Sequence, residues 1–586
     1  MTGPSPSPFR AGPPRWEVAP APDESVVRRL SEALSLPLEL CRLLVVRGHD
    51  APESAKGFLR PLLEHLPAPA DLKDLVPAAA RILTAVDRGE TILVHGDYDV
   101  DGACATAILT RWIRRLGGHA EPFVPHRMKD GYDLGPSGLR RAAEVGASLL
   151  VTVDCGIVAH GAVAQARTSG VDVIVTDHHA PGESLPPAMA VVNPNRADDD
   201  SGRGDLCGAG VAFQLVRHLA EARGIDLQEV LPDLDLVALA TVADLVPLTE
   251  ENRVLVRFGL RALERTEKPG LRALLEVCGL SGPLDSGKLG YTLAPRINAV
   301  GRLGDAGDAV RLLLTEDGEE ARRLATEADT LNSRRQAADR ETLAEALAQL
   351  DARFDPREDF GVVLAGRGWH PGVIGIVASR VVERIHRPVV LVALEDDSGR
   401  GSARSVPGFH LHRALTRCSD HLVRFGGHAQ AAGMDLHPSS LEAFRVRFNE
   451  VVREALEPEP DLLRPRVRVD LEVAPDSLTL ELAELARYLG PHGVGNPRPV
   501  LVARDLRALS TPRVVGNGHL KLDLGRNGRS VPAIGFGMAE RFPPEALTSG
   551  RFDAAFQLTV NEFRGRRTPQ MRLVDLRPAG EARGSG

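Results

Sequence analysis

The chain is short of aromatics, cysteines, positive charge and long apolar runs, and each shortage removes a class of function. Aromatic residues are 4% of 586, so widespread stacking of nucleobases on aromatic platforms is excluded. The six cysteines (Cys41, Cys104, Cys155, Cys207, Cys278, Cys418) are scattered with no C-x-x-C pair. That excludes a thiolate zinc site and fits free thiols in a reducing compartment better than a disulfide frame. The formal net charge is −8, which rules out a generally basic coat but leaves room for a local basic groove. No run reaches membrane-spanning length. The Pro- and Ser-rich N-terminal stretch lacks the apolar segment of a secretory signal. The expected location is the cytoplasm, without a membrane partner.

What is present is ordinary globular composition, 43% hydrophobic and 26% charged, over a length that calls for two to four domains. Residues 1–24 are rich in Pro and Ala and read as a disordered tail. Residues 25–90 carry helical periodicity, a helical lead-in. Buried-type strands then alternate with helices to about residue 260, which predicts a mostly parallel, doubly wound α/β sheet.

Those strands end in unusual residues. Thr91-Ile92-Leu93-Val94 runs into His95-Gly96-Asp97-Tyr98-Asp99-Val100-Asp101-Gly102. In an extended stretch Asp97, Asp99 and Asp101 project to one side. The strand Ser148–Val153 ends in Asp154, and Val171–Thr176 ends in Asp177-His178-His179. The apolar run Leu234–Val242 leads to Asp244, a carboxylate that needs a partner if buried, whether a metal or a helix N-terminus. Ligands bind beyond the C-terminal tips of strands in such sheets. Oxygen donors with one or two imidazoles suit Mn²⁺ or Mg²⁺. One Asp bridging two cations would activate a water and stabilise a phosphoryl transition state. The competing reading of the first cluster is a solvated acidic turn.

Further on, residues 317–352 form one charged helical pattern with a thin apolar stripe, a helix bridging two lobes, broken at Asp355-Pro356. A second α/β lobe follows, with glycine turns before helices at Gly366–Gly372, Gly401–Ser405 and Gly426-Gly427-His428. Such turns are candidate anion nests or plain loops. Residues 456–464 read as a linker. Short alternating strands after residue 465 predict a small β-barrel.

The ordered set resembles the DHH phosphoesterase superfamily. His95-x-Asp97-x-Asp99-x-Asp101, Asp154, Asp177-His178-His179 and Asp244 are similar to its first four motifs. Leu206–Phe213, Ala294-Pro295-Arg296-Ile297-Asn298-Ala299-Val300-Gly301-Arg302, Gly426–Gly433 and Gly490–Pro497 narrow the resemblance to the RecJ family of bacterial exonucleases. The last of these segments is similar to one in that family's OB-fold region. The resemblance implies a DHH catalytic domain within 25–316, a connecting helix over 317–356, a DHH-associated domain over 357–456 and an OB-fold barrel over 465–580. It implies a metal-dependent exonuclease on single-stranded DNA, 5′ to 3′, releasing 5′-mononucleotides in DNA repair and recombination. It also implies a channel between lobes too narrow for duplex.

Carried over residue by residue, the resemblance makes Asp97, Asp99, Asp101, Asp154, His178 and Asp244 ligands of two Mn²⁺ or Mg²⁺ ions, with Asp154 bridging. His179 would contact the scissile phosphate or assist proton transfer. His95 and Asp177 are either further ligands or supports that orient them. Arg296, Asn298, Arg302, His370, Ser402, Arg404, Gly426, Gly427 and His428 would contact phosphates or the strand, and the competing reading of the arginines is ordinary surface charge. A monomer working with a single-stranded-DNA-binding protein and a helicase is implied as well. Two other readings stay open: a superfamily enzyme acting on pyrophosphate, cyclic dinucleotides or very short oligonucleotides, and a non-catalytic DNA-binding scaffold. The barrel speaks against the first, and the intact ligand set against the second.

Overall fold

The strand β1 (Arg15–Val18) opens the computed structural model, which describes residues 13–580 apart from Met128 and Tyr132. β1 pairs in parallel with Arg466–Val469, from Arg15 opposite Arg466 to Val18 opposite Val469. The Trp16 indole N–H donates to buried Asp575 at 2.7 Å. Within the expected disordered tail, Arg15–Val18 are therefore ordered, because they complete a ladder with a segment far away in sequence. Residues 1–12 of that tail lie outside the described residues. The helical lead-in consists of α1 (Glu24–Leu34), α2 (Leu38–Val46), α3 (Pro52–Leu59) and α4 (Leu75–Asp87). Asp23 caps α1 by accepting the Ser25 N–H at 2.8 Å.

The chain divides into two compact units. One comprises residues 56–333 with 488–498 and contains the parallel sheet. Its strands are β2 (Thr91–His95), β3 (His119–Phe123), β4 (Leu149–Val153), β5 (Asp172–Thr176) and β6 (Ala190–Val192), in the order β3-β2-β4-β5-β6. All pairings are parallel. β4 is buried along its whole length and β5 along all but its first residue, as expected of strands covered on both faces. The chain leaves β2 toward β3 and returns to place β4 on its other side. That reversal is a topological switch point, where the ends of adjacent strands part to leave a crevice.

The helices α5 (Val100–Arg115), α6 (Pro136–Glu144), α7 (His160–Thr168), α8 (Gly208–Ala222), α9 (Leu234–Ala243) and α10 (Glu250–Glu264) cover this sheet or pack beyond it. Buried residues of α4, α5, α8 and α9 form one continuous core with β2 and β4, including Trp112, Ile82 and Phe213.

The other unit comprises residues 13–55, 334–487 and 499–580. The 36-residue helix Gly318–Arg353 contributes its residues 334–353 to it. A mixed sheet follows, made of β7 (Val362–Arg367), β8 (Val389–Leu394), β9 (Gly399–Arg404), β10 (Arg424–Gly427) and β11 (Ala431–Leu436) in the order β10-β11-β9-β8-β7. Beyond β12 (Arg466–Val469) lies a seven-stranded sheet, β13 (Leu471–Glu472), β14 (Leu501–Ala508), β15 (Arg513–Val515), β16 (His519–Arg526), β17 (Arg529–Gly535), β18 (Phe552–Phe563) and β19 (Arg566–Pro578). Pairing of β14 with β16 closes it back on itself, which is the barrel expected from the alternating pattern. One segment departs from expectation. Residues 488–498, read with the barrel, belong to the parallel-sheet unit.

No helix of the described residues is long and apolar enough to cross a membrane.

Candidate metal centre

The turn after β2 does not continue as a strand. Asp99 is the N-cap of α5 and accepts the N–H groups of Asp101 at 2.9 Å and Gly102 at 3.1 Å. Asp101 is thus already helical, and the expected one-sided extended row of Asp97, Asp99 and Asp101 is corrected to a cap followed by a first helical turn. The residues still converge, because the capped turn is tight. A Cβ on Gly102 would meet the Asp97 backbone at 2.5 Å, so glycine is required there.

Asp101 has both oxygens engaged at the start of α8. They accept Gly208 N–H at 2.6 Å and Ala209 N–H at 2.7 Å, the favourable end of a helix for an anion. A Cβ on Gly208 would lie 2.5 Å from Asp154 Oδ1. The Leu206–Phe213 stretch therefore holds one carboxylate and makes room for another.

Asp154 follows β4 in the left-handed region, φ 62°, a strained setting for a residue other than glycine. Asp177 follows β5. One of its oxygens accepts the N–H groups of His178 and His179 and faces His179 Nδ1 at 2.8 Å, while the other accepts Ile157 N–H at 3.0 Å. Asp177 is saturated with donors and orients the two histidines. His178 Nε2 lies 3.0 Å from Asp154, 3.6 Å from Asp101 and 3.8 Å from Asp244. Asp244 comes from the C-terminal end of α9. Among the described residues, donor atoms converge within 4.8 Å in three sets: Asp97, Asp99, Asp154; Asp101, His178, Asp244; and Asp154, His178, His179.

Electrostatics show what this cluster needs. Burial, followed by the charge of Asp99, pushes Asp97 well above the usual carboxylate range. Burial and the charges of Asp101, Asp99 and Asp97 do the same to Asp154. Asp99 is raised by burial and Asp101, and Asp244 is pushed up to about 8 by burial, Asp101 and Asp99. Burial lowers His178, which keeps its imidazole neutral and able to ligate. Carboxylates packed this closely in a dry site repel unless a cation compensates them. Three buried donor atoms, Asp97 Oδ1, Asp154 Oδ1 and His178 Nε2, have no hydrogen-bond partner. Orphaned oxygen and imidazole donors that converge fit a hard divalent cation such as Mn²⁺ or Mg²⁺.

Other expected residues lie elsewhere. His95 is fully buried, packs on Phe123 and against Gly138, and has its Nδ1 3.6 Å from Cys155 Sγ. It belongs to none of the three donor sets. Arg296, Asn298 and Arg302 share the helix Ala294–Leu303. A Cβ on Gly301 of that helix would come within 2.1 Å of Tyr98 O, so it packs directly on the first acidic motif. Arg296 pairs with Asp329 at 2.8 Å and donates to Thr292 O.

In the other unit Arg404 donates to Ser402 Oγ at 3.1 Å, and both side chains border Gly375 at the start of the helix Ile374–Ile385. His370, just before that helix, accepts Gly372 N–H at 3.0 Å. Gly426, Gly427 and His428 lie on the adjacent hairpin, where β11 pairs with β9. The sequence reading missed Arg127, whose guanidinium lies 4.9 Å over the Tyr98 ring, and Asp133, whose carboxyl is raised by burial and faces the charge of Asp177. Both follow β3, and the ends of parallel strands were the signal that could have found them.

Comparison with known proteins agrees with this arrangement. Residues 91–241 match the DHH family N-terminal domain, 358–454 the DHHA1 domain and 469–575 the RecJ OB domain. The chain is 37% identical over 569 residues to the single-stranded-DNA-specific exonuclease RecJ of Bacillus subtilis, covering 96% of this chain and 70% of the relative. The chain belongs to the RecJ family. Crystal structures of RecJ from Thermus thermophilus are also similar. The Mn²⁺ complex has a TM-score of 0.82 at 35% identity and covers 97% of this chain and 80% of that one. For the Mg²⁺ complex the values are 0.76, 34%, 97% and 79%. RecJ relatives thus bind the two cations that the donor chemistry here selects.

Proposed function

We propose that this chain is a metal-dependent exonuclease on single-stranded DNA, the activity for which its RecJ relatives are named. The observation that carries the reading is the set of orphaned, buried donor atoms on Asp97, Asp154 and His178, drawn from the ends of three neighbouring elements. A bound divalent cation supplies water activation and neutralises charge on the phosphoryl group. Asp97, Asp99, Asp101, Asp154, His178 and Asp244 would hold two such ions, and Asp154 and His178 each belong to two of the donor sets. His179, tied through Nδ1 to Asp177, offers its other nitrogen to the scissile phosphate. Arg127 and Arg302, both close enough to Tyr98 to act on its hydroxyl electrostatically, supply phosphate contacts beside the acidic turn. His370, Ser402 and Arg404 supply an anion nest on the other unit, and the barrel supplies a surface for the strand.

The family resemblance supports 5′-to-3′ polarity, 5′-mononucleotide products and a cytoplasmic role in repair and recombination. It also supports a monomer acting beside a single-stranded-DNA-binding protein and a helicase. The test compares linear single strands, circular single strands and blunt duplex, each with Mn²⁺, Mg²⁺ or chelator. Metal-dependent loss of the linear single strand alone is expected. Cleavage of the circle, or degradation in chelator, would contradict the reading.

A further inference from the structure

The connection that carries Asp244 is held by a segment some 240 residues later in the chain. Between α9 and α10 the chain runs Asp244-Leu245-Val246-Pro247-Leu248-Thr249. Leu245 (φ 62°) and Glu250 (φ 40°), neither of them glycine, are both in the left-handed region. A backbone with two such residues in so short a span keeps its shape only where its surroundings over-determine it. Part of the restraint comes from α10, where Asn252 donates to Pro247 O at 3.0 Å. Further restraint comes from residues 488–498. Leu248 N–H donates to Val494 O at 2.7 Å. Arg253, on α10 and almost completely buried, donates to Tyr488 O and Leu489 O at 3.0 Å each, and lies 3.8 Å over the Phe58 ring. Ser286 Oγ donates to His492 O.

The distal segment is itself built around one side chain. Asn496, 4% exposed, donates to Leu489 O at 2.8 Å and Pro491 O at 2.7 Å, and its backbone bridges to Gly493. Glycine is demanded where the two segments touch. A Cβ on Gly495 (φ 72°) would come within 3.1 Å of both Pro247 Cβ and Thr249 Cγ2.

We propose that residues 488–498 are a positioning element of the metal centre, with Asn496 and Gly495 as positioning residues that fix the Asp244 connection and hence one cation ligand. The proposal rests on the metal-centre reading but not on the substrate, because the Mn²⁺ titration that decides it needs no DNA. Asn496→Asp keeps the side chain's shape and removes both donated hydrogen bonds. Gly495→Ala pushes on Pro247 and Thr249. Mn²⁺ affinity is read from the free-ion electron paramagnetic resonance signal in a titration, and the Mn²⁺ dependence of cleavage is read separately. Supports beyond the ligand shell commonly change metal affinity by about 10- to 100-fold.

Each variant is expected to weaken the weaker-binding Mn²⁺ by about tenfold, on the scale of such supports. Excess Mn²⁺ should restore the cleavage rate to near that of the unaltered protein. The matched control is Ile82→Val, a core change on α4 that lowers the thermal midpoint but leaves Mn²⁺ affinity alone. Unaltered Mn²⁺ affinity in Asn496→Asp, or an equal loss in Ile82→Val, overturns the proposal. If Asn496→Asp fails to fold, Gly495→Ala decides by the same criterion.

Discussion

Asp177 receives His179 Nδ1 at 2.8 Å on the same oxygen that collects the backbone N–H groups of His178 and His179. With Ile157 N–H on its other oxygen, this carboxylate fixes the orientation of both imidazoles. Asp177→Asn keeps the shape but turns one acceptor into a donor facing an N–H. Cleavage should fall about 10- to 100-fold while circular dichroism stays unchanged. Wild-type turnover in that variant would remove Asp177 from the account.

Like charges at the centre make the metal-free protein sensitive to pH. Asp244 titrates near 3.8 when unfolded and is pushed up to about 8 in the fold by burial, Asp101 and Asp99. Above its unfolded pKa the unfolded chain releases a proton that the folded state keeps. Stability therefore falls as pH rises from about 4 to about 8, then levels off. Asp244→Asn removes this contribution, so its stability in chelator should exceed the wild type's by a margin that grows across that window. Urea midpoints at several pH values measure it. A margin that is constant, or that shrinks with rising pH, contradicts the assignment.

Leu245 stands in the left-handed region and is 69% exposed. Such a backbone costs an L-residue about 1–2 kcal/mol, and glycine gives back part of that gain in unfolded-chain entropy. Leu245→Gly should therefore stabilise the fold by a net amount of about 0.5–1 kcal/mol, whereas Leu245→Ala should give no such gain. The two denaturation midpoints, compared side by side, decide it. A loss of stability on introducing glycine would show that the side chain matters more than the strain.

Arg296 is paired with Asp329 at 2.8 Å, so its charge is partly spent inside the fold. If it also meets a phosphate, Arg296→Ala should reduce the slope of log affinity against log salt by about 0.7, the single-strand value per phosphate. Asp329→Asn should tighten single-strand binding by freeing the guanidinium. Filter binding across a salt series checks both. An unchanged slope in Arg296→Ala would assign the arginine to packing alone.

Most of the candidate centre is legible in the sequence because several of its donor residues end a strong local pattern. Asp154 and the Asp177–His179 run follow β-branched apolar strands that fall on β4 and β5. Strand alternation predicts the convergence of Asp97, Asp99 and Asp101, but the physical cause is different: Asp99 caps a helix, and both Asp and Gly102 are capping-type residues visible in the sequence. For Asp244 the sequence leaves open whether a metal or a helix N-terminus is the partner, and the structure places it at the C-terminal end of α9, beside Asp101 and His178.

Two features were not legible at all. β1 is stabilised by a partner about 450 residues away, and residues 488–498 pack on Leu248 and Arg253, some 240 residues earlier in the chain. Non-local pairing of this kind leaves no periodic trace in a single chain.

The most direct measurement is digestion of a long single strand labelled at its 5′ or 3′ end, with Mn²⁺, Mg²⁺ or chelator, by the wild type and by Asp154→Ala. The account predicts metal-dependent release of the 5′ label as mononucleotide, slow loss of the 3′ label, and no release by Asp154→Ala, which should remain folded. A 5′ label that stays on the strand while the wild type holds Mn²⁺, or equal release by Asp154→Ala, would contradict it.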